Sequence, residues 1–175
     1  MEYLRGSASS GPALPDTLLE IERWLRRLPA RERKVVADLG GGLGARQSLL
    51  AARFGEVLTL DDLSRGDTRV DAIVAIDSIG GPLLAGFDRT LADVRRRLVE
   101  GGMLLATFPA APKHTIARAM LLDGGEGTPL PPVFHEVELQ YRLQRAGLRG
   151  AAIRRAEHRD GHERLVCRAV RRGDN

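Results

Sequence analysis

The stretch Asp38-Leu39-Gly40-Gly41-Gly42-Leu43-Gly44 joins a carboxylate to four glycines in five positions. Val35, Val36 and Ala37 stand directly before it and read as a buried strand. A glycine costs roughly 0.5–1 kcal/mol inside regular structure, so a cluster behind a strand implies a use. In an open α/β sheet, ligands sit at the carboxyl ends of the strands. A glycine turn there lets backbone amides approach a ligand, and the following helix offers its positive end. Gly40, Gly42 and Ala45 would satisfy a dinucleotide-binding G-x-G-x-x-A turn. Asp38 argues against that ligand, because two residues before Gly40 its carboxylate would face the diphosphate. A ligand bearing an ammonium group suits it better.

Other reactive side chains are sparse. His114 and His135 each have the chemistry of a general base for an oxygen or nitrogen nucleophile, although exposed loop histidines are the plainer reading. The run "HRDGH" (158–162) lies in an expected hairpin turn with no third ligand, so no metal is expected. Cys167 is the single cysteine, which leaves no intrachain disulfide and no metal-ligand spacing.

The elements that must position these residues alternate along the chain. Residues 1–15 are rich in Gly, Ser and Pro and are expected to be flexible. A single domain is expected over 16–171. A capping pattern, Thr17 and Glu20, opens a helix over 16–28, with Leu18, Ile21, Leu25 and Leu28 at helical spacing. Strands are expected at 34–39, 56–61, 70–77 and 103–108, and helices at 45–55, 87–102 and 136–147. Two closing strands flank "RDGH". This is an α/β pattern: three layers around a mostly parallel sheet.

The length of 175 residues fits one domain. No run approaches the ~18 apolar residues of a membrane span, and the start lacks the apolar core of a signal peptide. A cytoplasmic location and no membrane partner are the expectations. The net charge is +4, and only Lys34 and Lys113 among the cations are lysines. The arginines spread through the chain, densest at 26–34 and in the last 35 residues, so a nucleic-acid partner is not favoured.

"DLGGGLG" (38–44) resembles the D/E-x-G-x-G-x-G loop of class I S-adenosylmethionine-dependent methyltransferases, whose cofactor carries an ammonium and a sulfonium but no phosphate. "VDAIVAIDSIGG" (70–81) is similar to their fourth strand and the segment after it. "LADVRRRLVEGGMLLATFPA" (91–110) is similar to their helix, Gly-Gly turn and fifth strand, and "FHEVELQYRLQRAGL" (134–148) to their late helix. The resemblance covers about residues 16–171. It implies a Rossmann-like fold with an antiparallel C-terminal hairpin, using S-adenosylmethionine and releasing S-adenosylhomocysteine. It places Asp38, Leu39, Gly40, Gly41, Gly42 and Gly44 around the methionine part of the cofactor. The ribose hydroxyls fall to Asp61, with Asp62 as its rival. Asp77 and Ser78 come beside the methyl group.

One departure is clear. Between Asp62 and Val70 the family has a helix, a further strand and a loop, and seven residues cannot hold them. The second strand then becomes an exposed sheet edge, expected to be covered by a homodimer mate, a partner protein or the N-terminal segment. Segments 1–15, 78–86 and 109–135 would frame the acceptor. A small-molecule or natural-product acceptor is expected, the alternatives being a non-catalytic methyltransferase-like subunit and an RNA methyltransferase.

Overall fold

The computed structural model describes residues 23–24, 26, 34–39, 55–59, 62–63, 67–79, 84–112, 127, 133–157 and 161–173. Apolar runs bounded by turn residues form six strands. They are β1 (Lys34–Leu39), β2 (Gly55–Thr59), β3 (Val70–Ile76), β4 (Leu98–Pro109), β5 (Leu148–Glu157) and β6 (Glu163–Arg171). Their spatial order is β2-β1-β3-β4-β6-β5. The first four are parallel, and β6 runs antiparallel to both β4 and β5. The expected mostly parallel sheet with an antiparallel closing hairpin is therefore the observed one.

Among the described residues, two helices pack on one face, α1 (Leu84–Arg97) and α2 (Glu136–Arg145). The expected stripe of Phe87, Leu91, Val94 and Leu98 is buried throughout. The helix nevertheless ends at Arg97, five residues before the expected boundary. Leu98 already belongs to β4 and pairs with Val70 of β3, so sheet pairing overrides the continuing helical period. Gly101 takes a left-handed φ of 75°, and a Cβ on Gly102 would come within 2.8 Å of the Val99 carbonyl. The paired glycines bend β4 where no larger residue fits.

The pleat sends alternate side chains to two cores. One contains Ala37, Ile73, Leu104 and Cys167 beneath both helices. Its aromatic members Phe87, Phe108 and Phe134 meet at centroid distances of 5.1, 5.6 and 5.8 Å, each pair contributing about 0.5–1.5 kcal/mol beyond area burial. The second core contains Val36, Val74, Leu105 and Val166 under Trp24. Trp24 is helical and lies outside the stripe expected for this helix, whose members Leu18, Ile21, Leu25 and Leu28 fall outside the described residues.

Among the described residues β2 pairs with β1 alone and ends the sheet. Residues 60–69 return the chain from β2 to β3 with no strand among those described. Leu63 in this link is fully buried in the first core, and the Arg97 guanidinium donates to its carbonyl. Asp62 and Leu63 are helical, and one leucine and one arginine thus pin the short link against the core.

Candidate functional site

β1 has β2 on one side and β3 on the other, so the strand order reverses there. A crevice opens outside the carboxyl ends at such a switch point. Asp38 lies at this end, level with Thr59 of β2 and Val74 of β3, and is 1% exposed. A carboxylate this buried needs hydrogen bonds or a cation to offset lost hydration. Leu39 is buried beside Ala75 and ends the strand. Gly40, Gly41, Gly42, Gly44 and Asp61 fall outside the described residues, as does His114. What the structure places is the strand leading into the glycine run, with its acid at the crevice.

Asp77 follows β3 at the same edge, with a positive φ of 47°. Aspartate tolerates this left-handed conformation better than most residues, and three contacts hold it. Its backbone N–H donates to Thr107 Oγ1 at 2.9 Å, and the Thr107 hydroxyl donates to Asp77 Oδ1 at 2.8 Å. Arg164 Nε donates to Asp77 Oδ2 at 2.9 Å. Both carboxylate oxygens are engaged, so Asp77 braces β3 to β4 and β6. Ser78 beside it is exposed.

Asp62 Oδ2 accepts from the Thr59 backbone N–H at 2.8 Å and from its hydroxyl at 2.7 Å, closing a turn at the end of β2. This oxygen serves the backbone.

His135 precedes α2 in an extended conformation and makes no side-chain capping bond. It is half-buried rather than exposed, and its Nε2 is shut off from solvent without a hydrogen-bond partner. That nitrogen is walled off from any acceptor. Phe134 beside it runs parallel to the end of β4, exchanging backbone bonds of 2.8 Å with Pro109 and Ala111.

Arg155 of β5 clamps this rim. Its guanidinium donates to both Glu136 carboxylate oxygens, to the Ala111 carbonyl at 2.7 Å and to Glu163 at 2.9 Å. The Arg155 hydrogen bond holds the Glu136 carboxyl below its ordinary range. On the helix layer, Arg142 is 1% exposed and bonds Glu138 at 3.2 Å and Asp88 at 3.1 and 3.2 Å. Burial raises the Glu138 carboxyl above its ordinary value, with Arg142 opposing that shift. Burial likewise pushes the Cys167 thiol up to about 12, which leaves it inert.

Sequence reasoning missed Thr107, Arg155 and Arg164. Thr107 and Arg164 lie 30 and 87 positions from Asp77, and no local pattern links residues so far apart. Among the described residues no group of three or more His, Cys, Asp or Glu side chains is placed to hold a metal ion. None of the described helices is long and apolar enough to cross a membrane.

No protein-family model and no curated protein sequence matches the chain. Solved structures do. The CurJ carbon methyltransferase superposes over 91% of this chain and 54% of its own, with a TM-score of 0.62 and 14% identity; this chain thus spans about half its length. The 1,6-didemethyltoxoflavin-N1-methyltransferase of Burkholderia thailandensis, solved with S-adenosylhomocysteine, matches over 90% of this chain and 77% of its own at a TM-score of 0.59 and 19% identity. The magnesium protoporphyrin IX methyltransferase of Synechocystis, solved with S-adenosylmethionine, matches over 89% and 78% at a TM-score of 0.59 and 18% identity. The chain has the fold of the class I methyltransferases.

Proposed function

We propose that this chain, built on the class I methyltransferase fold, binds S-adenosylmethionine at the carboxyl ends of β1 and β3 and transfers its methyl group to a small-molecule acceptor. The observation that carries the reading is Asp38, buried at the switch point on the strand that leads into the glycine run. Its charge matches the ammonium of the cofactor's methionine part, and backbone amides of residues 40–44 complete that subsite. Asp61 takes the ribose hydroxyls through charge-assisted hydrogen bonds. When bound, S-adenosylmethionine would supply an electrophilic methyl carbon on a sulfonium, whose sulfur would keep the carbon–sulfur electron pair and leave as neutral S-adenosylhomocysteine.

The chain's own residues position. The Thr107–Asp77–Arg164 brace holds the end of β3 rigid beside the crevice, and the Arg155 clamp fixes the rim on the α2 side. Holding reactants in a productive geometry is worth up to about 7–11 kcal/mol of a barrier, and a rigid crevice would serve that positioning. A second reading, a cofactor-binding subunit without turnover, draws support from the engaged oxygens of Asp77 and from the absent edge unit.

Calorimetric titration with S-adenosylhomocysteine tests the proposal. The wild-type protein is expected to bind, and Gly42→Val to lose binding with an unchanged melting curve. A wild-type protein that does not bind overturns the reading. Equal binding by the variant removes the glycine loop from the site.

A further inference from the structure

The fold gathers arginines that look scattered along the chain. Directly paired residues of antiparallel strands share a sheet face. In the register of β5 and β6, Arg149 pairs with Val170, Ala152 with Arg168, Arg154 with Val166 and Ala156 with Arg164. Val166 and Ala156 belong to the core on the Trp24 side. Arg149, Arg154, Arg164 and Arg168 therefore all stand on the face opposite α1 and α2. Glu157 and Glu163, the acids of these two strands, alternate onto the other face. Arg172, just past β6, meets Arg149 and Gly150 around an open recess of about 440 Å³ that Gln144 of α2 also lines, so the recess lies at the outer edge of β5, where the two faces meet.

We propose that this face of the β5–β6 hairpin is a docking surface for the phosphodiester backbone of a nucleic acid. Arg149, Arg154 and Arg172 are exposed, and neither Arg149 nor Arg172 has a carboxylate within salt-bridge distance among the described residues. A bulge between Arg149 and Ala152 brings Arg149 and Arg154 onto one face, and measured along their β6 partners Val170 and Val166 the row extends roughly 14 Å at about 3.4 Å per residue, longer than one phosphate group. Guanidinium groups match phosphate oxygens in a bidentate manner. A protein partner or a lipid surface calls for apolar anchors. The exposed large hydrophobic residue among those described is Val137, on α2 and so on the other face. The row ends at Arg164, bonded to Asp77 beside the crevice, so a strand laid along it runs toward the candidate site. The surface stands independently of the methyl-transfer reading.

Fluorescence anisotropy of the full chain with a labelled unstructured single-stranded RNA, without cofactor, tests this. Binding is expected to weaken with salt. Arg149→Glu/Arg172→Glu is expected to reduce the slope of log affinity against log salt by about 1.4, at about 0.7 per lost phosphate contact. Both side chains are exposed, and circular dichroism is expected to be unchanged. Arg89→Glu, an exposed reversal on α1 across the sheet, is expected to leave binding nearly intact. Failure of the wild-type protein to bind overturns the proposal, as does equal loss in Arg89→Glu. Polyglutamate binding as tightly as RNA overturns it in favour of an acidic polypeptide. None of these outcomes alters the S-adenosylhomocysteine titration, so the two readings fail separately.

Discussion

At the scale of single residues, the described part of the chain buries charge in two places. Asp38 is buried at the carboxyl end of β1, where the proposed cofactor would bring an ammonium group. Arg142 is buried between Glu138 and Asp88, whose charges balance it. Removing one member of a buried ion group is far costlier than exchanging the whole group for apolar residues, because a charge is left without its counterpart. Arg142→Met is therefore expected to destabilise the protein by about 3–5 kcal/mol at neutral pH, and Glu138→Gln/Arg142→Met by much less. The pH dependence has a definite sign. Burial already raises the folded Glu138 carboxyl above its ordinary 4.5, and losing Arg142 raises it further. Between 4.5 and that raised value the folded state holds more protons than the unfolded one. The single variant is thus expected to regain stability as pH falls toward 4.5, relative to wild type. Thermal melts across that window check it; a penalty independent of pH would mean Glu138 does not feel the loss.

At the scale of elements, strands and helices were largely legible in the sequence because their periods are. β1 spans the expected residues, and α2 begins at the expected Glu136. The boundary between α1 and β4 was not, because Leu98 satisfies both the helical stripe and a strand pairing with Val70. The place of Asp38 near the end of a buried strand was legible from residue type and spacing. The Asp77 brace was not, because Thr107 and Arg164 reach it only through the tertiary order of β3, β4 and β6. The shortened β2–β3 link was readable from its length alone. Its consequence is an edge strand whose Val57 and Leu58 are half-buried. Bare edges invite pairing, so the amides of residues 55–59 are expected to be protected in hydrogen exchange, by a second copy or by residues 1–15. A monomer with those amides exchanging freely would contradict this.

At the scale of the whole molecule, one sheet carries two charged features at different places. Its switch point presents a buried acid at the carboxyl edge, and its closing hairpin presents a row of arginines on one face. The density of arginine in the last 35 residues was readable, but the row was not, since strand pairing alone decides which arginines share a face. The central claim concerns the crevice, and a crystal structure of the protein grown with S-adenosylhomocysteine tests it most directly. The account predicts the amino group of the ligand against Asp38, its methionine part along residues 40–44 and its ribose hydroxyls on Asp61, with Asp62 still bonded to Thr59. Ligand density elsewhere in the fold, or a crevice filled only by water at saturating ligand, would contradict it.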